Sequence, residues 1–264
     1  MRDISAESKV QEFYETDGWH KSQDGHTSDA ARWEDLRPVV NNYLIHCRKR
    51  IQQWLPPSGE AILDAASGPV QYPEYLDYSR NFKHRICVDL SQLALDQAKE
   101  KLGDHGQYIC GSILDLPLKT NSVDAAISLH TIYHIDKSQQ EAAVKQLLRV
   151  CKPGQPVVVI YANPERFTSR IRRIICRTRL EDEEFMEPLY YYAHPLRWWT
   201  RFFDVADVSF FPWRSLTAQD SRRIIPNGTM GRWLLKLIFK AEATFPNLCV
   251  KFGAYPAIVL RKRN

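Results

Sequence analysis

The sequence has no regular cysteine pattern, no long apolar run and no large excess of charge of one sign. Its six cysteines are scattered and form no Cys-x-x-Cys pair, which argues against a zinc site and against a disulfide framework. No stretch approaches the roughly 18 uninterrupted apolar residues of a membrane-spanning helix. The first twenty residues contain no apolar core of the kind found in secretory signal peptides. We therefore expect no signal peptide and a cytoplasmic location.

The charge balance is also modest. The 36 basic and 31 acidic residues leave a formal net charge of +5, which by itself does not indicate a nucleic-acid-binding protein. A hydrophobic fraction of 44% in 264 residues is typical of a folded chain of one or two domains. Composition therefore predicts a compact protein, and the function has to come from motifs.

Short apolar runs alternate with amphipathic segments through the middle of the chain. This alternation predicts βαβ units around a mostly parallel, buried sheet. Helices are predicted near 72–78, 92–102 and 138–151. The predicted strands are Ala61–Asp64, Arg85–Asp89, Tyr108–Cys110, Val123–Leu129 and Pro156–Tyr161, followed after a looser region by Val205–Trp213 and Ala254–Arg261.

The flanking regions differ from this alternating core. Residues 1–58 are predicted to be helical and amphipathic, and the Pro-Pro-Ser-Gly sequence at 56–59 ends them. We expect a domain boundary there, with residues 59–264 forming the main domain. Insertions are expected at about 163–195 and 215–250, with an amphipathic helix over 231–243.

Polar and small residues follow the first three predicted strands. Asp64 ends the first strand and is followed by the sequence Ala-Ala-Ser-Gly-Pro-Val, where small residues let the backbone approach a ligand. Asp89 ends the second strand, and a carboxylate there can accept both hydroxyls of a ribose. The third strand ends in a turn that contains Ser112 and Ile113. Because these strand ends meet at one sheet edge, a nucleotide-type site is predicted.

The sequence at this point resembles the class I S-adenosylmethionine-dependent methyltransferases, in particular the group with the type 11 methyltransferase domain. The resemblance covers roughly residues 60–162 and rests on ILDAASGPV, ICVDLS, CGSILDLPL, VDAAISLHTIYHI and LLRVCKPGQPVVVI in that order. It implies a Rossmann-like α/β fold with a seven-stranded, mostly parallel sheet and a reversed last strand. An N-terminal helical lid and helical insertions after strand five and between strands six and seven complete the expected architecture.

The resemblance also implies residue roles toward the cofactor S-adenosylmethionine. The methionine part is expected to lie against Asp64, Ala66, Ser67 and Gly68, and the ribose against Asp89 with Leu90. The adenine is expected to contact Ser112 and Ile113, and the sulfonium end Leu129. The lid over the cofactor is expected to include Tyr14. Two glycines of the usual loop are replaced by Ala66 and Val70, and Val70 is tolerated if its backbone dihedrals are helical.

Two histidines lie after the fourth predicted strand. His130 stands at the expected ligand-binding edge of the sheet and is the candidate general base, since a neutral imidazole can accept a proton near neutral pH. His134 lies between apolar residues and is interpreted as a packed, structural histidine. The spacing of four could place both on a metal, but no third ligand is evident, so no metal site is predicted.

The region after residue 163 contains two further features. Six arginines within 166–179 are interpreted as a solvated helix face, with contact to an anionic acceptor or peripheral contact to a membrane surface as the alternatives. Some members of an aromatic group are expected to line an acceptor pocket and others to be core. The group comprises Tyr190, Tyr191, Tyr192, Trp198, Trp199 and Phe202.

The sequence therefore favours an enzyme that moves a methyl group from S-adenosylmethionine to an oxygen or nitrogen of a small-molecule acceptor. Two alternatives stay open. The chain could be an inactive binding domain on the same fold. It could also methylate nucleic acid, although the Asn/Asp-Pro-Pro-aromatic motif of base methyltransferases is absent after strand four. The acceptor and the oligomeric state cannot be read from the sequence.

Overall fold

The computed structural model describes residues 5–176, 185–186 and 189–263. Its centre is a seven-stranded sheet. The strands of the sheet are β1 (Gly59–Ala65), β2 (Phe82–Asp89), β3 (Gly106–Cys110), β4 (Ala125–Leu129), β5 (Pro156–Ile160), β8 (Ala206–Arg214) and β9 (Tyr255–Lys262). Their order in the sheet is β3-β2-β1-β4-β5-β9-β8. The first five strands in the chain are parallel, and β9 runs antiparallel to both of its neighbours.

This arrangement confirms the predicted fold class, including the reversed last strand. A separate two-stranded ladder pairs β6 (Phe185–Met186) with β7 (Leu189–Tyr190). The ten α-helices of the described residues are α1 (Ala6–Phe13), α2 (Ser28–Trp33), α3 (Pro38–Lys49), α4 (Pro73–Leu76), α5 (Gln92–Leu102), α6 (Gln140–Val150), α7 (Phe167–Cys176), α8 (Ala218–Ile224), α9 (Thr229–Thr244) and α10 (Pro246–Phe252).

Buried apolar side chains cover both faces of the sheet. One cluster joins α6 to β1, β4 and β5, and includes Leu147, Leu148 and Val159. The other joins α3 and α9 to the opposite face through Val40, Leu235 and neighbouring side chains. Strands buried on both faces read as continuous apolar runs, which is why their positions were predictable.

The N-terminal region is less regular than predicted. It comprises α1, a π-helical turn over Tyr14–Gly18, α2, α3 and a 3-10 turn over Arg50–Trp54. Thr27 caps α2 with its side chain, and Pro38 starts α3, so these residues divide the region into short helices. Residues 14–33 reach the carboxyl ends of the parallel strands, where the candidate site lies.

Candidate functional site

A cavity of about 690 Å³ lies between the carboxyl ends of β1, β2 and β4 and the N-terminal region. This is the edge at which open α/β sheets bind ligands. The cavity brings together ten of the eleven predicted site residues: Tyr14, Asp64, Ala66, Ser67, Gly68, Asp89, Leu90, Ile113, Leu129 and His130. Ser112 does not line it. Its hydroxyl hydrogen-bonds to the Glu7 carboxylate and accepts from the Leu114 amide at 3.0 Å.

The loop after β1 has an unusual backbone. Ala66, Gly68 and Val70 all adopt positive φ, at 56°, 53° and 47°. The condition under which Val70 would be tolerated without strain, helical backbone dihedrals, is therefore not met, because its φ is left-handed. A left-handed conformation costs a non-glycine residue roughly 1–2 kcal/mol. Strain of this kind concentrates at ligand-binding loops that the surrounding structure holds in place.

Asp89 holds this loop to the second strand. One carboxylate oxygen accepts from the Gly68 amide at 2.7 Å, and the other accepts from the Ser91 amide at 2.9 Å. Burial raises the pKa of Asp89 to about 6, although both hydrogen bonds favour the ionised form. Each carboxylate oxygen has a further lone pair, so Asp89 can still accept hydrogen bonds from ligand hydroxyls.

Asp64 lines the cavity but is already paired. The Arg85 guanidinium forms an ion pair with its carboxylate inside the sheet, with side chains 1% and 3% exposed. Arg85 also donates to the Tyr75 carbonyl, and the nearby carboxylate raises the pKa of Arg85 further. The charge of Asp64 is therefore compensated within the protein. Sequence reasoning did not anticipate this partner.

The N-terminal region covers the loop with two stacked aromatic rings. The rings of Tyr14 and Trp19 lie 4.7 Å apart and 18° from parallel. A Cβ atom on Gly68 would come within 2.9 Å of the Trp19 ring, so this glycine is required for close packing as well as for its φ. The Tyr14 hydroxyl donates to Asp29 at 3.3 Å, and burial raises the pKa of Asp29 to about 7.

His130 stands on the opposite wall. Its φ of 61° is left-handed, and its ring contacts those of Trp213 and Tyr255 at centroid distances of 4.8 and 5.0 Å. Its Nδ1 atom is 2.9 Å from the Tyr133 hydroxyl, and its buried Nε2 atom has no hydrogen-bond partner among the described residues. Burial and the Arg214 charge lower the pKa of His130 well below its usual value, so the ring is neutral near pH 7.

His134 also lines the cavity but is anchored elsewhere. Its Nδ1 atom is 2.7 Å from the Tyr190 carbonyl oxygen, and burial lowers its pKa to about 4. Across the described residues, no group of three or more His, Cys, Asp or Glu side chains is arranged to hold a metal ion.

Arg214 is a cavity residue that sequence reasoning missed. It ends β8, is 5% exposed and forms an ion pair with Glu34 at 2.9 Å. Its guanidinium lies over the Tyr255 ring, 4.7 Å from the centroid. No motif signals this position, because Glu34, Arg214 and Tyr255 come from distant parts of the chain.

Several residues that line the cavity carry a buried polar atom that has no hydrogen-bond partner within the described structure. Buried polar groups are almost always satisfied, so these atoms are candidates for contact with a bound ligand. They are Trp19 Nε1, Trp33 Nε1, Tyr72 Oη, His130 Nε2, Arg166 Nε and Arg214 Nε. Of the aromatic group predicted near the acceptor, Tyr191 lines the cavity, whereas Trp198, Trp199 and Phe202 are buried in the core.

Comparisons with known proteins agree with the fold of this protein. The family model of a methyltransferase domain matches residues 63–159. No curated protein matches the sequence. The fold of the described residues is the fold of S-adenosylmethionine-dependent class I methyltransferases. Within that class, residues 63–159 are a domain of the matched methyltransferase family.

Solved structures similar in fold extend over almost the whole chain. Geranyl diphosphate C-methyltransferase from Streptomyces coelicolor A3(2) is 14% identical with a TM-score of 0.57, and all of both chains is covered. The [4+2]-cyclase SpnF is 14% identical with a TM-score of 0.60, covering 98% of this chain and 97% of SpnF. A SAM-dependent methyltransferase from Archaeoglobus fulgidus is 13% identical with a TM-score of 0.55, covering 84% and 94%.

Proposed function

We propose that this protein transfers a methyl group from S-adenosylmethionine to an oxygen or nitrogen of a small-molecule acceptor. The observation that carries the proposal is the cavity at the carboxyl ends of β1, β2 and β4. Ten residues expected to bind the cofactor or act on the acceptor line it, together with several residues that carry a buried polar atom without a hydrogen-bond partner. The sulfonium of the cofactor supplies an electrophilic methyl group. The protein therefore has to bind the cofactor and the acceptor, align the acceptor atom with the methyl group, and exclude water.

The cofactor side of the cavity is assigned to the loop after β1 and the ends of β2 and β3. Asp89 would accept hydrogen bonds from the ribose hydroxyls through its remaining lone pairs. The backbone of residues 66–68 would lie along the methionine part, and Ile113 would contact the adenine. Tyr14, stacked on Trp19, would cover the bound cofactor. These residues fit the cofactor, since Asp89 keeps free acceptor capacity and the glycine loop is open to the cavity.

The acceptor side is assigned to the wall around His130. With Nδ1–H donating to the Tyr133 hydroxyl, the buried Nε2 lone pair would be directed to a polar acceptor group. A neutral imidazole there can remove the proton from a hydroxyl or ammonium group as the methyl transfers. Tyr133 is the positioning residue, because its hydroxyl contacts Nδ1 and orients the ring, and Nε2 is the base in the tautomer in which Nδ1–H donates to that hydroxyl.

The Asp89 experiment is a calorimetric titration of the full chain with S-adenosylmethionine. Asp89→Ala should weaken binding by at least tenfold, whereas Asp207→Ala, which removes an exposed carboxylate in β8, should leave it unchanged. A folded Asp89→Ala variant with unaltered affinity would contradict the cofactor assignment. Loss of a charge-assisted hydrogen bond is worth roughly 1.5–3 kcal/mol, which corresponds to this expected change.

The His130 experiment measures methyl transfer over a panel of hydroxyl and amine acceptors. His130→Gln should lower kcat by about 10²–10⁴-fold with little change in cofactor affinity. Tyr133→Phe should alter the pH profile of kcat without abolishing it. Cofactor binding without turnover on any acceptor would favour the inactive-domain alternative, and the similarity to the cyclase SpnF shows that this fold is not confined to methyl transfer.

A further inference from the structure

Helix α9 presents an apolar stripe to solvent. Met230, Trp233 and Leu237 are spaced by three and four residues, so they lie on one face of the helix. Their exposed fractions are 63%, 55% and 44%. The opposite face packs into the protein through Gly231 and Leu235, both of which are buried. The stripe is therefore not part of the core.

Exposed apolar side chains are concentrated around this helix. Of the twelve large apolar side chains that are exposed in the described part of the chain, six lie between Ile224 and Leu248. Besides the stripe they include Ile224, Phe245 and Leu248. A cluster of exposed apolar side chains on a folded protein is typical of an interaction surface.

The charged residues of the same segment are almost all basic. Residues 222–253, all of which the structure describes, contain six basic residues: Arg222, Arg223, Arg232, Lys236, Lys240 and Lys251. Their one acidic residue, Glu242, is 1% exposed and forms an ion pair with Arg50 at 2.7 Å. The solvent side of α9 therefore combines an apolar stripe with basic residues and exposes no carboxylate.

We propose that this face of α9, defined by Met230, Arg232, Trp233, Lys236, Leu237 and Lys240, docks on an anionic membrane surface. Trp, Leu and Met side chains enter the boundary between headgroups and acyl chains in interfacial helices, while Lys and Arg contact lipid phosphates. None of the helices in the described residues is long and apolar enough to cross a bilayer, so the docking is peripheral.

The charge distribution favours a lipid surface over a second copy of the chain. A two-fold contact would bring the same basic residues of both copies together, and like charges repel across such an interface. An apolar stripe also gains little from the hydrated phosphates of a nucleic acid backbone, which basic residues alone can bind. A surface with lipid phosphates above an apolar layer satisfies both parts of the face.

The α9 face adjoins the cavity along the chain. Helix α8 supplies Gln219 and Arg222 to the cavity wall and ends at Ile224, five positions before α9 begins at Thr229. The proposal does not depend on the proposed methyl transfer and can be tested without it.

The test measures co-sedimentation of the full chain with vesicles at low salt. One vesicle set is phosphatidylcholine alone, and in the other phosphatidylglycerol replaces part of it. We expect binding to the anionic set that decreases with added salt. The triple variant Arg232→Gln/Lys236→Gln/Lys240→Gln should bind on the order of 100-fold more weakly, since each cation near an anionic surface contributes roughly fivefold. Trp233→Ser/Leu237→Ser should lose at least about tenfold.

Matched controls separate this face from surface charge and apolarity in general. Lys83→Gln/Lys99→Gln/Lys119→Gln removes the same charge elsewhere, and Phe203→Ser/Val205→Ser removes two apolar side chains that are 43% and 48% exposed. Each control should bind anionic vesicles more tightly than the α9 variant that it matches. Every variant should keep the cofactor affinity of the parent chain, so a failure of membrane docking is distinguishable from a failure of the proposed function.

Three outcomes would overturn the proposal. The first is equal binding of the parent chain and the α9 variants to anionic vesicles. The second is absence of vesicle binding together with a dimer in sedimentation velocity that Trp233→Ser/Leu237→Ser dissociates, which would identify a second copy as the occupant. The third is absence of vesicle binding together with salt-sensitive binding of an RNA probe that the triple glutamine variant loses.

Discussion

Replacing Arg85 with Met removes the cation from a buried ion pair and keeps most of the side-chain volume. The Asp64 carboxylate, 3% exposed, would then have no cationic partner on its face of the sheet, and the Tyr75 carbonyl would lose a hydrogen-bond donor. Because almost no water reaches the pair, solvent cannot screen the remaining charge. Breaking a buried pair in this way costs about 3–5 kcal/mol of unfolding free energy. We therefore expect Arg85→Met to lower the free energy of unfolding by about 3–5 kcal/mol.

The assay is urea unfolding followed by circular dichroism, performed on a double-mutant cycle. Asp64→Leu should also destabilise the fold, since it leaves the guanidinium unpaired. The double variant Asp64→Leu/Arg85→Met should recover at least half of the single-variant loss, because an apolar replacement of a buried pair is often close to neutral. A loss below about 1 kcal/mol for Arg85→Met, or additive losses in the double variant, would refute the buried pair as the reason for the stability.

Three further changes concern the N-terminal region and the loop after β1. Asp29 has a pKa of about 7 in the fold against 3.8 as a free side chain, so the unfolded state loses its proton first and this group lowers stability as pH rises from about 4 to 7. Asp29→Asn should therefore gain thermal stability relative to the parent chain across that interval, and a constant difference in Tm would contradict the assignment. Ala66→Gly should raise the unfolding temperature by roughly 2–4 °C by relieving the positive φ, as scanning calorimetry can check, and a lower Tm would count against strain there. Gly68→Ala should destabilise the protein, with part of the loss relieved when Trp19→Ala is added, because that second change removes the ring contact and leaves the backbone strain.

The strands were predictable because most are buried on both faces. The run Pro156–Ile160 is buried at every position, and its apolar character needs no periodicity to be recognised. The predicted strand Val123–Leu129 differs at its start, since Val123 makes only an isolated bridge to Cys151 and β4 begins at Ala125. Helix α5 has its predicted bounds, since Ser91 caps its start and Gly103 follows its end.

The partner of Asp64 was not predictable, because it depends on the register between two strands. In the parallel pairing of β1 with β2, Arg85 lies opposite Ile62, and Asp64 is two positions further along β1 on the same face. This register places the guanidinium beside the carboxylate. A local motif describes the loop after Asp64 but contains no information about a neighbouring strand.

The structure describes the side chains of only two of the six arginines within 166–179. Arg166 lies 3.9 Å from Asp220, and Arg170 stacks on the Phe252 ring at 5.4 Å, so these two pack on neighbouring helices. The other four, Arg172, Arg173, Arg177 and Arg179, have side chains outside the described part of the structure. The interpretation of the stretch as a solvated face stays a prediction for them.

The two sides of the cavity are encoded differently in the sequence. The proposed cofactor side comes from consecutive strand ends, so a short ordered set of motifs predicts it. The proposed acceptor wall comes from β4, β8, β9 and the N-terminal region, and its key contacts, such as Arg214 with Glu34 and His130 with Tyr255, join residues more than a hundred positions apart. Substitutions at Glu34, Arg214 or Tyr255 can therefore reshape the acceptor wall while the loop after β1 and Asp89 stay unchanged. On one fold, this separation allows acceptor specificity to change without loss of the cofactor site, and it explains why motifs identify the class of the protein but not its acceptor.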